Sequence, residues 1–507
     1  MNRRKFLGVT AVSTAALNLV PRHVLGGPGF IGPNDKINVA YIGCGTQGLR
    51  EMLDMLATPD IQIVAVCDPV KDGTDYVDWS KDGLRSSIGG AIGKPDWRRS
   101  APGIPGGRDV AKEIVEAYYA NKRASDHFKG CEAHLDFREL LDKATGVDAV
   151  KVMTPDHLHA TIAIAAMNKG KHVMVHKPLA NRVREARLVI ETAQRTKVAT
   201  HFLPASPGDN VRMVAGWIRD GAIGTLRQVH NWSNRPVWPQ YAALPTDTPP
   251  LPKDFDWDLW LGPSQYRPYH PHYTHAVFRG WYEFGGGPIA DMGHYSLWPV
   301  FREFDLDAPV MVESNPSHVC RITDHVSITV HNDYSFPIAS TVRFKFAGKG
   351  SRPPLELLWY DGGIKPPTPE EVEEDGAELP LEGMMFVGDK GKILTGFLCE
   401  EPRLVPESKA REYWAGKGGV APKGQPRERG ARARESTWVS AIRGGAPTYG
   451  NFLLAGPISD AFNLAAISLR LGGKRLLWDA QSMKITNRPE ANQFLTRDYR
   501  KGWELTG

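Results

Sequence analysis

Gly43, Gly45 and Gly48 stand one and two residues apart in Gly43-Cys44-Gly45-Thr46-Gln47-Gly48. Glycines at that spacing permit a tight turn and bring backbone N–H groups against a diphosphate, whose charge the start of a following helix stabilises. Asp68 lies 20 residues after Gly48, where a carboxylate accepts hydrogen bonds from the hydroxyls of an adenosine ribose. Gly43, Gly45, Thr46, Gln47, Gly48 and Asp68 are therefore the candidate dinucleotide contacts. An acidic residue at position 68 repels a 2′-phosphate, which favours NAD over NADP, although Lys71 is a nearby cation of the opposite tendency.

The elements that must position these residues can be read around them. Residues 36–42 form an apolar run that ends at the glycine turn, and Leu49, Met52, Leu53 and Leu56 then recur at helical spacing. A second strand over Ile61–Cys67 ends at Asp68. Residues 71–107 are rich in Gly, Ser, Asp and Pro, include Trp79 and Trp97, and show no sustained period. We read them as an insertion, and as a surface loop in preference to a cover for the cofactor cleft. Helices near 109–121 and over Phe137–Lys143, then strands over 149–153 and His172–Val175, restore the α/β alternation of a doubly wound parallel sheet. Ligands of such sheets bind outside the carboxyl ends of the strands. Two more segments accordingly face the crevice: Thr154-Pro155-Asp156-His157-Leu158-His159 and His176-Lys177-Pro178.

Composition bounds the rest. The chain has 507 residues, long enough for two or three domains, with 41% hydrophobic and 23% charged residues and a formal charge of +5 spread along its length. That charge gives no support to a nucleic-acid partner, and no stretch approaches the ~20 apolar residues of a membrane span. Residues 1–27 resemble a twin-arginine export signal: Arg3-Arg4-Lys5-Phe6-Leu7, an apolar run over 9–20, then Pro21-Arg22. The expected location is the periplasm or another exported compartment. Five cysteines at wide spacing are neither a zinc pattern nor a disulfide framework, and Cys44 and Cys67 read as small buried apolar residues.

Together, Gly43 to Gly48, Asp68, Thr154-Pro155 with His159, Lys177-Pro178 and the segment Gly285-Gly286-Gly287-Pro288-Ile289-Ala290-Asp291-Met292-Gly293-His294 resemble the family of glucose-fructose oxidoreductase, inositol dehydrogenase and MocA. The closing stretch from Trp478-Asp479 through Asn487, Glu490-Ala491-Asn492 and Tyr499-Arg500 to Gly502-Trp503 resembles its exported branch. The resemblance implies a Rossmann domain over 36–204 and a second α+β domain over 205–507 with a large open, mostly antiparallel sheet and a tail that packs back. Strands at Leu226–Trp232, 327–331, 339–346 and 391–395 fit that sheet, while 425–434 reads as part of a solvated basic loop.

The resemblance also implies that Lys177 lies by the nicotinamide and the substrate, and that Asp291 and His294 reach the same cleft. Thr154, Pro155, His157 and His159 become cofactor contacts. Two departures stand out: His176 replaces the family's usual Glu, and Asp and His are three apart where the family has four, so that Tyr295 takes the four-apart position. A neutral imidazole does not tune the lysine as a carboxylate would. Lys177 and His294 are expected to handle the proton, with Asp291 orienting one of them. Trp232, Trp238, Trp281 and Tyr282 are candidates for stacking on a sugar, although core packing explains most such aromatics; His270, His272 and His275 make a weak metal set, and no metal is expected.

The function implied is an NAD-dependent oxidoreductase acting on a secondary hydroxyl of a sugar or glycoside and forming a 3-keto sugar, with a tightly held cofactor. Free NAD is scarce outside the cytoplasm, so the cofactor must be restored in place. The rivals are an NAD-dependent glycosidase that oxidises its substrate transiently, and a non-catalytic protein that merely retains a dinucleotide. By analogy, the chain is expected to form a homo-oligomer.

Overall fold

The computed structural model describes residues 35–124, 128–419 and 431–505, with the backbone alone for 431–434. The expected export segment and residues 425–430 of the basic stretch lie outside the described residues. Residues 431–434 belong to a helix, where a loop was expected.

Strands β1 (Ile37–Ile42), β2 (Ile61–Cys67), β3 (Glu132–His134), β4 (Ala149–Val152), β5 (His172–Val175) and β6 (Thr200–Phe202) form one sheet in the order β3-β2-β1-β4-β5-β6. Every pairing is parallel. Helices cover both faces, which is why β1 and β4 read as nearly unbroken apolar runs. The strand order reverses between β1 and β4, so the crevice opens where the glycine turn and Thr154 stand. Helix α1 (Thr46–Leu56) follows β1, and α2 (Gly83–Ile92), α3 (Arg108–Lys122), α4 (Phe137–Lys143), α5 (His159–Asn168) and α6 (Val183–Thr196) complete this half.

The insertion is more ordered than its composition suggests. It holds α2, whose Leu84, Ile88 and Ile92 recur every fourth residue and are buried, and an antiparallel hairpin of Gly73–Tyr76 with Ile104–Gly106.

A second sheet has nine strands: β7 (Leu226–Trp232), β8 (Met311–Pro316), β9 (Ser340–Phe346), β10 (Leu355–Tyr360), β11 (Gly383–Gly388), β12 (Lys392–Thr395), β13 (Arg403–Val405), β14 (Leu476–Asp479) and β15 (Lys484–Ile485). Their order is β13-β12-β11-β7-β10-β9-β8-β14-β15, and only the β7–β10 pairing is parallel. On β9 buried and half-buried residues alternate, as one covered face requires. The strand expected over 327–331 is instead Val326–Thr329, which pairs with Cys320–Thr323 in a separate hairpin whose residues are all exposed. Helices α7 (Asp209–Arg219), α8 (His294–Glu303), α9 (Ala431–Ile442) and α10 (Gly456–Arg470) lie in this half of the sequence.

One hydrophobic cluster runs through both halves, from Val150 and Phe202 to Trp298, Phe344 and Phe462. Helix α9 crosses back onto the first sheet: Trp438 joins the core of Leu49 and Ile63, and Glu435 reaches the buried Lys151 of β4 at 3.5 Å. Cys44, Cys67, Cys131 and Cys399 are buried, Cys320 is exposed, and all five are free thiols. Among the described residues no helix is long and apolar enough to cross a membrane.

Candidate active site

A cleft of about 1800 Å³ runs between the carboxyl ends of the first sheet and the second half of the chain. At one end the glycine turn forms its floor. Gly43 has φ +98°, and a Cβ there would stand 2.5 Å from the Met153 backbone; at Gly48 it would stand 2.3 Å from the Gly43 carbonyl oxygen. Turn and β4 touch because these side chains are missing. Gly45 opens α1 with no side-chain cap, leaving the helix start to an anion. The Tyr41 hydroxyl donates to the Gly48 carbonyl at 2.6 Å and braces the turn from below.

Asp68 lines the same end. Its carboxylate accepts from Cys44 N–H at 2.7 Å and from Val70 N–H at 2.8 Å, so it supports the turn as well as facing the cleft. Burial pushes its carboxyl up to about 6. Thr46, Gln47, Thr154 and Pro155 complete this wall, and the Thr154 hydroxyl is buried with no hydrogen-bond partner among the described residues. A helix start with no side-chain cap, a turn of glycines and an orphaned hydroxyl fit a nicotinamide dinucleotide.

At the other end Lys177 follows β5, and its ammonium is bonded to the Asp291 carboxylate. Arg279 Nε donates to the same carboxylate oxygen at 3.0 Å. Burial works to raise the Asp291 carboxyl, but the Lys177 and Arg279 charges outweigh it and hold the group below its ordinary value. Burial pushes the Lys177 ammonium down against the pull of Asp291. His176 also lines the cleft, with Nε2 3.3 Å from the Tyr295 hydroxyl. Burial, and then the Lys177 charge, keep this imidazole well below its ordinary value and hence neutral.

Three histidines expected at the site are turned into packing instead. His294 donates from Nδ1 to the Ala290 carbonyl at 2.9 Å and sits between the Phe202 and Phe462 rings, and burial drives it down to about 3. The cause is local. Asp291 lies in a π-helical turn, Ile289–Gly293, whose wider pitch places the same-face neighbour four residues on; Tyr295 therefore enters the cleft and His294 the core. His157 has Nε2 2.9 Å from the Trp260 carbonyl oxygen and packs between Trp260 and Phe284, with burial lowering it to about 3. The His159 ring nitrogens lie 2.6 Å from the Pro178 carbonyl and 2.8 Å from that of Thr154, so it ties the two strand-end loops together from behind.

The proposed sugar-stacking residues Trp232, Trp238, Trp281 and Tyr282 are buried and stand outside the cleft lining. The aromatic residues that do line the cleft include Tyr76, Trp79, Phe255, Trp260, Phe278 and Tyr295. Tyr76, Val77 and Trp79 belong to the insertion, so the surface-loop expectation is corrected: these residues wall the cofactor end, because α2 and the hairpin pack the insertion down onto the turn. His275 lies against Tyr76 and Asp75, whereas His270 and His272 contact each other; no group of three or more His, Cys, Asp or Glu among the described residues is arranged for a metal ion. Arg279 had no periodic or motif signal in the sequence, since it lies in an irregular 3₁₀ stretch, His275–Gly280.

The NAD-binding Rossmann fold of the oxidoreductase family matches residues 90–202, and the C-terminal alpha/beta domain of that family matches residues 215–336. A glycosyl hydrolase family 109 protein of Shewanella pealeana is 26% identical over 241 residues, covering 45% of this chain and 44% of that protein. An alpha-N-acetylgalactosaminidase of Shewanella oneidensis is 26% identical over 242 residues, with the same coverage. The chain thus spans less than half the length of the curated relatives it matches. Among solved structures, the WlbA dehydrogenase of Chromobacterium violaceum, in complex with NADH and UDP-GlcNAcA, shares the fold at a TM-score of 0.51 and 16% identity, over 88% of this chain and 97% of that one. Its Bordetella pertussis counterpart gives a TM-score of 0.51 at 14% identity, over 88% and 99%. Two matched domains in the family's order, joined by a cleft built on its motifs, place this chain in the oxidoreductase family of glucose-fructose oxidoreductase, inositol dehydrogenase and MocA.

Proposed function

We propose that the protein oxidises a secondary hydroxyl of a sugar or glycoside, with NAD as its cofactor. The observation that carries this reading is the convergence of Lys177, Asp291, Arg279, His176 and Tyr295 in the same cleft as the glycine turn. A bound nicotinamide dinucleotide supplies the hydride acceptor. Gly43, Gly45, Gly48, Asp68 and Thr154 would hold it.

The chain's own residues handle position and proton. Lys177, fixed by Asp291 and Arg279, donates to the substrate oxygen and favours the developing alkoxide. The Tyr295 hydroxyl, oriented by its contact with the neutral Nε2 of His176, takes the substrate proton while passing its own to water in the cleft, so Tyr295 replaces His294 in the role expected from the sequence. A lysine already paired to a buried carboxylate is a poor base, which is why the proton goes to the tyrosine.

A second reading is favoured by the relatives named glycosyl hydrolase family 109 and alpha-N-acetylgalactosaminidase. Oxidising a ring hydroxyl to a ketone acidifies the adjacent C–H; loss of that proton expels the glycosidic substituent, which leaves protonated as the free alcohol, water adds across the resulting double bond, and the hydride then returns from the reduced cofactor to the ketone. Incubating the purified protein with aryl glycosides separates the readings. Net NADH favours the dehydrogenase, released aglycone without net NADH favours the glycosidase, and neither product defeats both in favour of a binding protein. Lys177→Ala should abolish whichever activity is found while leaving the fold intact; unchanged turnover would remove the lysine from the mechanism.

Export by the twin-arginine route belongs to the same proposal and rests on Arg3-Arg4. Changing both to lysine should leave the protein in the cytoplasm, which cell fractionation would show. Self-association through the open face of the nine-stranded sheet is likewise proposed, and light scattering of the purified protein tests it.

A further inference from the structure

We propose that the insertion hairpin is a gate over the diphosphate floor, with Tyr76 as its bolt. This rests on the dinucleotide reading above. The second glycine of such a turn lacks a side chain so that a diphosphate can approach the backbone. Here that space is taken: a Cβ on Gly45 would stand 3.2 Å from the Tyr76 ring, whose other edge packs on the hairpin's own Gly106, where a Cβ would stand 2.6 Å away. A diphosphate reaching Gly45 must first displace Tyr76.

The contacts that hold the ring down come from both halves of the protein. On the Rossmann side, the Thr46 hydroxyl donates to the Val77 carbonyl at 3.0 Å, and Arg50 bonds the Asp78 carboxylate at 2.7 Å. From the second half, His275 lies with its ring centroid 4.1 Å from that of Tyr76 and its Nε2 3.3 Å from the Asp75 carboxylate. The base of the hairpin is tied separately: Gly107 N–H donates to the Cys44 carbonyl at 2.9 Å, and Lys71 N–H to the Asp254 carbonyl at 2.9 Å. Tip and base are thus held by different bonds, so the tip can lift while the base stays in register. The tip is fastened by the Thr46 hydrogen bond, by the ion pair of Arg50 with the buried Asp78 carboxylate, and by the His275 contacts to the Tyr76 ring and the Asp75 carboxylate, all of which an arriving ligand must outweigh.

A gate differs from a wall in its kinetics. A wall contact stabilises only the bound state and slows release; a bolt standing where the diphosphate binds closes only over the empty site, so it slows arrival and weakens binding while leaving release unchanged.

NADH association and dissociation rates, followed by stopped-flow fluorescence on the full chain, test this with Tyr76→Ala and Asp78→Asn. Association should rise about tenfold in Tyr76→Ala and about threefold in Asp78→Asn while release stays at the wild-type rate, so that Kd falls by the same factors. Asp78→Asn is nearly isosteric and covers the case in which Tyr76→Ala fails to fold. Unchanged association in the folded variants, with release either faster than or equal to that of the wild type, would make Tyr76 a contact of the bound dinucleotide or a packing group only and overturn the gate. NADH binding by none of the three proteins would instead remove the dinucleotide reading on which the gate depends.

Discussion

Asp291 faces two cations with one carboxylate, and the hydroxyl four residues later in the chain shares its side of the helix. Tyr295→Phe should therefore lower kcat by about 10²–10⁴, the usual worth of a positioned proton acceptor, with dinucleotide Kd unchanged. His294→Phe should keep kcat, and steady-state kinetics of the pair decides which residue the site uses. His294 also leaves a mark on stability. Its folded value near 3 lies below the ordinary 6.5, so below pH 6.5 the unfolded chain takes a proton that the folded one refuses. Stability from this ring is thus lost as pH falls from about 6.5 towards 3, by about 2 kcal/mol at pH 5. The Tm of His294→Phe should fall less than that of the wild type over that range. Asp68 shifts the other way: burial raises it to about 6, and its proton, once bound, removes an acceptor from the Cys44 or Val70 N–H beneath the turn. Dinucleotide affinity should weaken as pH drops through about 6, and titration calorimetry on Asp68→Asn should show a flat profile.

At the scale of elements, the glycine turn and the tail make separable claims. Gly43→Ala puts a side chain at φ +98° and 2.5 Å from the Met153 backbone; it should cost about 2–4 kcal/mol of stability and abolish dinucleotide binding. The turn was readable because spacing and strand-turn-helix order are properties of a short stretch of chain. The insertion was less so. Leu84, Ile88 and Ile92 carried a helical stripe, but Gly89, Gly90 and the flanking serines diluted it, and nothing local indicated that Tyr76 would fold back onto the turn. In the tail, Arg497 reaches the buried Glu185 of α6 at 2.6 Å and the Ser264 hydroxyl at 3.0 Å. Breaking such a buried pair leaves a carboxylate without its cation, so Arg497→Met should lower the urea-derived stability by about 3–5 kcal/mol.

Across the whole molecule, the cleft exists because the second half returns to the first. Helix α9 carries Glu435 to within 3.5 Å of Lys151, and both side chains are without exposure. Lys151 also lies 3.7 Å from the Glu51 carboxylate, so Lys151→Met withdraws the cation from two carboxylates and should cost about 3–5 kcal/mol, of which Glu435→Leu in the same chain should recover only the part due to Glu435. A double-mutant cycle by chemical denaturation measures the coupling; additive losses would show that the pair does not join the two halves.

Residue order alone was enough for the glycine turn, the carboxylate at position 68, the alternation of strands and helices and the strand-end loops, since each depends on neighbours a few positions away or on a fixed period. Which face of a helix meets the cleft is a different matter. It is settled by partners far along the chain: Phe202 and Phe462 draw His294 into the core, Trp260 and Phe284 hold His157, and Arg279 reaches Asp291 from a stretch without period. The π-turn then sends Tyr295 to the place where His294 was expected, and the packing of α2 turns an apparent loop into a wall. Local rules set the backbone frame, and long-range burial chose which side chains it presents to the substrate.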